Sequence, residues 1–141
     1  VKRRMEVYVN TDKQVYIDDY AHHPKELRST IESLRGIFPG RRLLAIFQPH
    51  LYTRTRDFAK EFAETLSLAD EVILIPIYPA REEPIEGVCS ELSIPTLHPF
   101  QCTFSLAGKR KVLPITAYPI PFFAHFTEQG LLHTLATCVT V

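Results

Sequence analysis

Apolar and polar residues change period along the chain, and each change marks an element. Met5-Glu6-Val7-Tyr8-Val9 alternates at period two and reads as a strand. Asn10-Thr11-Asp12 supplies turn chemistry. Gln14 to Asp18 forms a second strand in which Val15 and Ile17 share one face while Tyr16 takes the other, so the two strands read as an N-terminal β-hairpin. From His23-Pro24 onward, Leu27, Ile31, Leu34 and Phe38 recur at helical spacing until Gly36, Pro39 and Gly40 stop the run. Arg42 to Phe47 holds the unbroken run Leu43-Leu44-Ala45-Ile46-Phe47, which suits a parallel strand covered on both faces. The pattern then predicts a loop over 48–55 and a second helix over Arg56 to Leu68. Phe58, Phe62 and Leu66 form the stripe of that helix, with Ala59 and Ala63 beside it. A buried strand follows from Glu71 to Ile77. This β-α-β-α-β order with short links predicts an α/β fold whose sheet is mostly parallel.

The remainder of the chain is less regular. Beyond Glu91 only Lys109, Arg110, Lys111 and Glu128 carry charge, and Pro95, Pro99, Pro114, Pro119 and Pro121 interrupt each helical candidate. A short helix near Leu106 to Leu113, a strand near Ile120 to Phe126 and a helix near Gln129 to Cys138 are expected there.

Length and composition change this picture only at its edges. A chain of 141 residues, 45% hydrophobic, suits one domain with a real core. Sixteen basic and sixteen acidic residues cancel, so no broad field is available to hold nucleic acid or an anionic membrane. Cys89, Cys102 and Cys138 form no CxxC pair, which argues against a disulfide framework or a zinc site and for a reducing cytoplasm. No apolar run approaches the length of a bilayer span and no leader pattern opens the chain, so it is expected to be soluble. Val1-Lys2-Arg3-Arg4 lacks an initiator methionine and runs straight into a strand, as though a longer polypeptide were entered partway.

In a parallel α/β sheet, chemistry collects beyond the carboxyl ends of the strands, and three clusters fall there. Asp18-Asp19-Tyr20-Ala21-His22-His23-Pro24 offers carboxylates for sugar hydroxyls, with imidazoles and a helix amino end for an anion. Phe47 to Arg56 carries His50, Arg54 and Arg56 away from a buried strand, a set able to grip carboxylate or phosphate oxygens. Tyr78 to Val88 is a polar loop containing Arg81. Each cluster also has a plainer reading: a capped helix start, a solvated turn whose arginines pair with Asp57 and Glu61, and a surface salt-bridged loop. His22, His23 and His50 lack a defined carboxylate or cysteine partner, so no metal site is expected.

The strings Lys2-Arg3-Arg4, Asp18 to Pro24 (DDYAHHP), Phe47 to Arg56 (FQPHLYTRTR) and Ile77 to Val88 (IYPAREEPIEGV) closely resemble the C-terminal domain of the Mur ligases of peptidoglycan synthesis, in particular those that use L-alanine. The resemblance is strong over 1–91 and faint over 92–141, within one expected domain spanning 1–141. It implies a three-layer Rossmann-like domain with helices on both faces. It further implies a cytoplasmic enzyme whose missing N-terminal and central domains bind UDP-N-acetylmuramate and hold ATP with Mg2+. ATP would activate the muramoyl carboxylate as an acyl phosphate, and the amine of L-alanine would displace the phosphate.

Carried over by resemblance, Arg4 and Asp19 contact ATP, and Tyr20, His22, His50 and Arg54 bind the amino acid, Arg54 by its carboxylate. His23, Arg56 and Arg81 are possible supports. Leu51 stands where many relatives have a second arginine, and Arg56 is its candidate replacement.

Two departures are visible. No GxxxxGK[ST] segment exists, so the phosphate-binding loop is absent and the chain by itself is expected to catalyse nothing. Relatives also end on a glycine-rich turn of the type GAGD or GAGN, whereas Phe126 here leads into Thr127-Glu128-Gln129-Gly130. A poorly docked terminal segment is expected in consequence. The alternatives are a sister ligase that recycles murein tripeptide onto the same UDP-sugar, a divergent non-catalytic binding module, and a free-standing metal-dependent hydrolase.

Overall fold

The computed structural model describes residues 4–90, 92 and 135–140. The N-terminal hairpin forms as expected from β1 (Glu6–Asn10) and β2 (Gln14–Asp19), antiparallel, with a register shift between Val7 and Val9. The helix α1 (Pro24–Ile37) follows and buries Leu27, Ile31 and Leu34, the predicted stripe. Each such side chain contributes roughly 1.5–3 kcal/mol on burial. The Phe38 N–H bonds the Leu34 carbonyl at 2.9 Å, and Gly40 then turns the chain at a φ of 76°, a left-handed conformation that glycine adopts without a Cβ penalty.

β3 (Arg42–Phe47) matches the predicted strand. Beyond it the single helix expected over 56–68 is two, α2 (Tyr52–Asp57) and α3 (Ala59–Leu66), and the first occupies part of the segment expected as loop. The reason is local. Leu51 takes a φ of 73°, and its carbonyl accepts from both the amide and the hydroxyl of Thr55, which opens a helical turn four residues early. Phe58, at φ −119° and ψ 19°, then breaks the helical path before Ala59. Apolar periodicity sees Phe58 and Phe62 but not that break. β4 (Glu71–Leu74) is shorter than the expected strand over 71–77.

The sheet order is β1-β2-β5-β3-β4, where β5 is Leu135–Thr140. Among the described strands β3 and β4 pair in parallel, continued by a parallel bridge between His50 and Tyr78, while β1–β2, β2–β5 and β3–β5 are antiparallel. The expected mostly parallel sheet is therefore a mixed one. The expected terminal helix over 129–138 is replaced, for 135–140, by this central strand, and the expectation of poor docking fails there. The physical reason is twofold: Thr137, Val139 and Thr140 are β-branched, and β2 and β3 each present a row of backbone groups that a strand between them satisfies. The helix expected near 106–113 and the strand near 120–126 lie outside the described residues.

One apolar cluster joins Val15 and Ile17 of β2, Leu43, Ala45 and Phe47 of β3, and Val72 and Leu74 of β4 to Leu27, Ile31 and Leu34 of α1 and Phe62 and Leu66 of α3. The parity of the strand residues puts α1 and α3 on one face. Among the described residues the expected three layers are thus represented by two. On the opposite parity Leu44, Ile46 and Ile73 are buried as well, in keeping with the unbroken apolar run of β3.

Candidate functional site

The sheet register aligns the strand ends that matter. Asp19 and Phe47 both pair with Leu135 from opposite sides, and Phe47 also pairs with Leu74. Since β2, β3 and β4 run in the same direction, their following loops leave one edge of the sheet. Two strand spacings separate Asp19 from Phe47, about 10 Å. A ring contact between His23 and Phe58, centroids 4.8 Å apart, ties the first loop to the junction of α2 and α3.

At the first strand end, Asp19 is 3% exposed and already engaged. Its Oδ1 accepts from the Ala21 amide at 2.8 Å and its Oδ2 from the Met5 amide at 2.9 Å. Met5 has a φ of 49°, so one carboxylate fixes both the entry into β1 and the turn out of β2. Arg4, half-exposed, reaches between two acids: its Nη1 lies 3.9 Å from Asp19 and its Nη2 3.4 Å from Glu26. With Lys25, Ser29 and Ser33 of α1 these residues line an open depression of about 440 Å3.

Tyr20 and His22 sit beside it. Tyr20 is exposed and meets the His22 ring edge-on at 5.1 Å. His22 Nδ1 lies 3.0 Å from the Tyr20 carbonyl, which it can bond only when it carries a proton, and 3.4 Å from the Glu26 carboxylate. Glu26 organises this loop from within α1, accepting from the His22 amide at 3.1 Å and the His23 amide at 3.2 Å. Partial burial pushes the Glu26 carboxyl up, but the His22 amide, the charge of His22, the His23 amide and Arg4 together win and hold it below the usual carboxylate range. A depressed folded pKa means that this contribution to stability is complete above the ordinary carboxylate pKa and is lost as pH falls through the folded value. Glu26→Ala is accordingly expected to cost about 1 kcal/mol at neutral pH, as for other helix caps. Urea unfolding at neutral pH and again at about pH 3 checks both points, since the difference between the two chains should shrink in acid.

At the second strand end, the left-handed Leu51 swings the chain so that His50 precedes it and Arg54 follows one helical turn in. His50 stacks on Tyr78, with ring centroids 5.5 Å apart and planes 26° from parallel. The two backbones also join: Leu51 donates to the Tyr78 carbonyl at 3.0 Å, and Tyr78 donates to the Pro49 carbonyl at 2.9 Å. Arg54 differs from Arg56, the other arginine of α2, for its Nη1 is buried and has no hydrogen-bond partner among the described residues. Arg56 is exposed and bound to its neighbour Asp57 at 2.7 Å, which also raises its pKa. That contact, made by the Arg56 Nε, is the Asp57 pairing of the plainer sequence reading. The third loop contributes Glu82, which accepts from the Thr53 amide at 3.0 Å and from the Thr53 hydroxyl. The hydroxyl and then the amide hold the Glu82 carboxyl below the usual range against a small desolvation penalty, with lesser help from the Tyr52 amide and the charge of His50. Arg81 stands exposed on that loop, with no ion pair among the described residues.

The sequence-predicted residues thus gather in two groups on one edge, Arg4 from just before β1 with Asp19, Tyr20 and His22 at the end of β2, and His50 and Arg54 after β3. His23 serves as a packing and capping residue. Glu26, Thr53, Tyr78 and Glu82 were not picked out by residue type. Only Glu26 had a readable signal, an acid three residues after the helix-capping position. Among the described residues no group of His, Cys, Asp or Glu side chains is arranged to hold a metal ion, and no helix is long and apolar enough to cross a membrane.

A family profile described as "Mur ligase, glutamate ligase domain" matches residues 3–107. The chain belongs to the Mur ligase family, as a C-terminal domain. The match reaches past the strongly similar stretch over 1–91 seen in the motifs. Among curated relatives, the UDP-N-acetylmuramate--L-alanine ligase of Phocaeicola vulgatus is 56% identical over 115 residues, which is 82% of this chain and 25% of that protein. The ligase of the same name from Parabacteroides distasonis is 60% identical over 91 residues, 64% of this chain and 20% of that protein. The Mur ligase domain described here therefore spans a quarter or less of the length of these relatives. Among solved structures, the UDP-N-acetylmuramate-alanine ligase of Thermotoga maritima superposes with a TM-score of 0.56 at 26% identity, covering 75% of this chain and 21% of its own. A murein peptide ligase of Psychrobacter arcticus gives 0.53 at 22% identity over 76% of this chain and 22% of its own, a likeness of fold.

Proposed function

We propose that this Mur ligase domain receives the amino acid and closes over the nucleotide in an ATP-dependent ligase that joins L-alanine to UDP-N-acetylmuramate. The observation that carries the reading is Arg54, in the first turn of α2, with a buried nitrogen that has no hydrogen-bond partner among the described residues. An unsatisfied buried donor costs about 1–3 kcal/mol, and a carboxylate, whose two oxygens match the planar fork of arginine, can take it. In this reading Arg54 holds the carboxylate of L-alanine, and Tyr20, His22 and His50 line the space around it. Arg4 meets the nucleotide phosphates. Asp19, with both oxygens bonded to amides, supports that contact by fixing the backbone next to Arg4.

The chemistry then runs as follows. ATP transfers its terminal phosphoryl group to the muramoyl carboxylate, giving an acyl phosphate and ADP. The alanine amine attacks the acyl carbon, the carbon–nitrogen bond forms, the carbon–oxygen bond to phosphate breaks, and the nitrogen sheds a proton as phosphate leaves. Water competes for the same carbon, so a domain that closes over the site must orient the amine and exclude water together. Mg2+ and the phosphate-binding loop belong, on this reading, to a preceding central domain, and the UDP-sugar to an N-terminal one. ATP and the UDP-sugar are cytoplasmic reactants, which puts the reaction in the cytoplasm. Partners beyond these substrates and domains, nucleic acid and membrane included, are not required.

The test is amide formation by the complete ligase that contains this domain, with ATP, UDP-N-acetylmuramate and either L-alanine or murein tripeptide. ADP release is expected with alanine at more than roughly tenfold the kcat/KM of tripeptide, and the 141-residue chain alone is expected to release none. Preference for tripeptide would give the domain to the recycling ligase instead.

A further inference from the structure

The polar loop after β4 looks at first like solvated surface. Its charged residues follow one another as Arg81-Glu82-Glu83, and Arg81 and Glu83 are exposed. Glu82 departs from that pattern. It reaches across to Thr53, 29 positions earlier, and accepts from both donors of that residue, the amide at 3.0 Å and the hydroxyl more closely. Its carboxylate also interacts with the Tyr52 amide and with His50. One side chain thus holds the opening turn of α2 at the point where the backbone is least able to hold itself. Leu51, just before that turn, has a φ of 73°, a region that costs a residue with a Cβ of order 1–3 kcal/mol unless its surroundings impose it. Arg54 follows Thr53 directly. His50 precedes Leu51 and stacks on Tyr78 of the same loop that carries Glu82.

We propose that Glu82 is a positioning residue for the amino-acid site: it locks Thr53 so that Arg54 and His50 keep the geometry in which they meet the amino acid, without touching that substrate itself. One carboxylate that accepts from both the amide and the hydroxyl of a single residue fixes orientation as well as distance, which a lone surface ion pair does not. The loop after β4 therefore acts on specificity from behind, through the Glu82 carboxylate on Thr53 and the Tyr78 ring on His50. Glu82 matters to the reaction in this way only if Arg54 holds the amino acid, as proposed above.

Steady-state kinetics of the complete ligase carrying Glu82→Ala, Glu82→Gln or Arg54→Ala test the assignment. Glu82→Ala should raise the KM for L-alanine about tenfold, the loss expected for a displaced charge-assisted contact, with the smaller share of the effect in kcat and the KM for ATP unchanged. Glu82→Gln keeps one acceptor oxygen for Thr53 and should recover part of that loss. Equal losses in the use of alanine and of ATP, or a Glu82→Gln enzyme no better than Glu82→Ala, would show a merely structural residue and overturn the proposal. A normal alanine KM in both Glu82 variants, beside a raised one in Arg54→Ala, would overturn it while leaving the amino-acid site in place. A normal alanine KM in all three variants would remove the site and the proposal together.

Discussion

Arg54→Ala in the complete ligase is expected to lower kcat/KM for L-alanine by roughly 10- to 100-fold, as befits a lost hydrogen bond to a charged group worth about 1.5–3 kcal/mol. Arg54→Lys keeps the charge and loses the planar fork, so it should recover only part of the activity. The same substitutions should leave folding intact. Among the described residues the buried Nη1 has no hydrogen-bond partner, so truncation removes an unsatisfied donor rather than a contact. Thermal unfolding of the 141-residue chain should show an unchanged or slightly higher midpoint for Arg54→Ala. Function lost at constant stability is the mark of a residue kept for its ligand. A large fall in the midpoint, with alanine kinetics unaltered, would make Arg54 a structural residue.

Asp19→Ala carries the opposite signature. The carboxylate is 3% exposed and bonds the amides of Met5 and Ala21. Removing it strands two donors, and about 3 kcal/mol of stability should be lost, read as a lower midpoint in urea unfolding of the chain. The ion pair with Arg4 adds little to that figure, because Arg4 is half-exposed and 3.9 Å away. Asp19→Asn retains one acceptor and should fall between. Arg4→Ala should be nearly silent in the same experiment and should instead weaken the use of ATP by the complete ligase. Should Asp19→Ala unfold like the parent chain, the carboxylate is held ready for a ligand and the reading of it as a backbone clamp is wrong.

The two residues show what could be read from the sequence and what could not. Local periodicity was enough for β1, β2, α1 and β3, where the alternation, the helical stripe or the unbroken apolar run is complete within the element itself, although Val7, Tyr8 and Val9 of β1 stay exposed. Val15 and Ile17, or Leu27, Ile31 and Leu34, declare their side without help from the rest of the chain. It failed where a single backbone angle decides. The φ of Leu51 starts α2 early and the bend at Phe58 divides one expected helix into two, and neither leaves a trace in apolar spacing. It failed also for β5, whose place between β2 and β3 is set by two long-range ladders and not by its own residues alone. The site behaved likewise. Residue type singled out Arg54 and His50, because arginine and histidine at a strand end have few structural reasons to be there. The supports could not be seen in that way: Glu82 is one acid among several until it is known to meet Thr53, and the hold of Asp19 on the Met5 and Ala21 amides shows only in the structure. Motif letters thus fell at one edge of the sheet, where the ends of β2, β3 and β4 align, while the bracing contacts required geometry.

The central claim is that Arg54 receives the carboxylate of the amino acid. A structure of the complete ligase with L-alanine, UDP-N-acetylmuramate and a non-hydrolysable ATP analogue tests it most directly. The carboxylate oxygens should lie about 2.7–2.9 Å from the guanidinium nitrogens of Arg54, the spacing of a charge-assisted pair, with His50 alongside and still stacked on Tyr78. Alanine bound by another cation, with the Arg54 side chain out of hydrogen-bonding range, would contradict the claim.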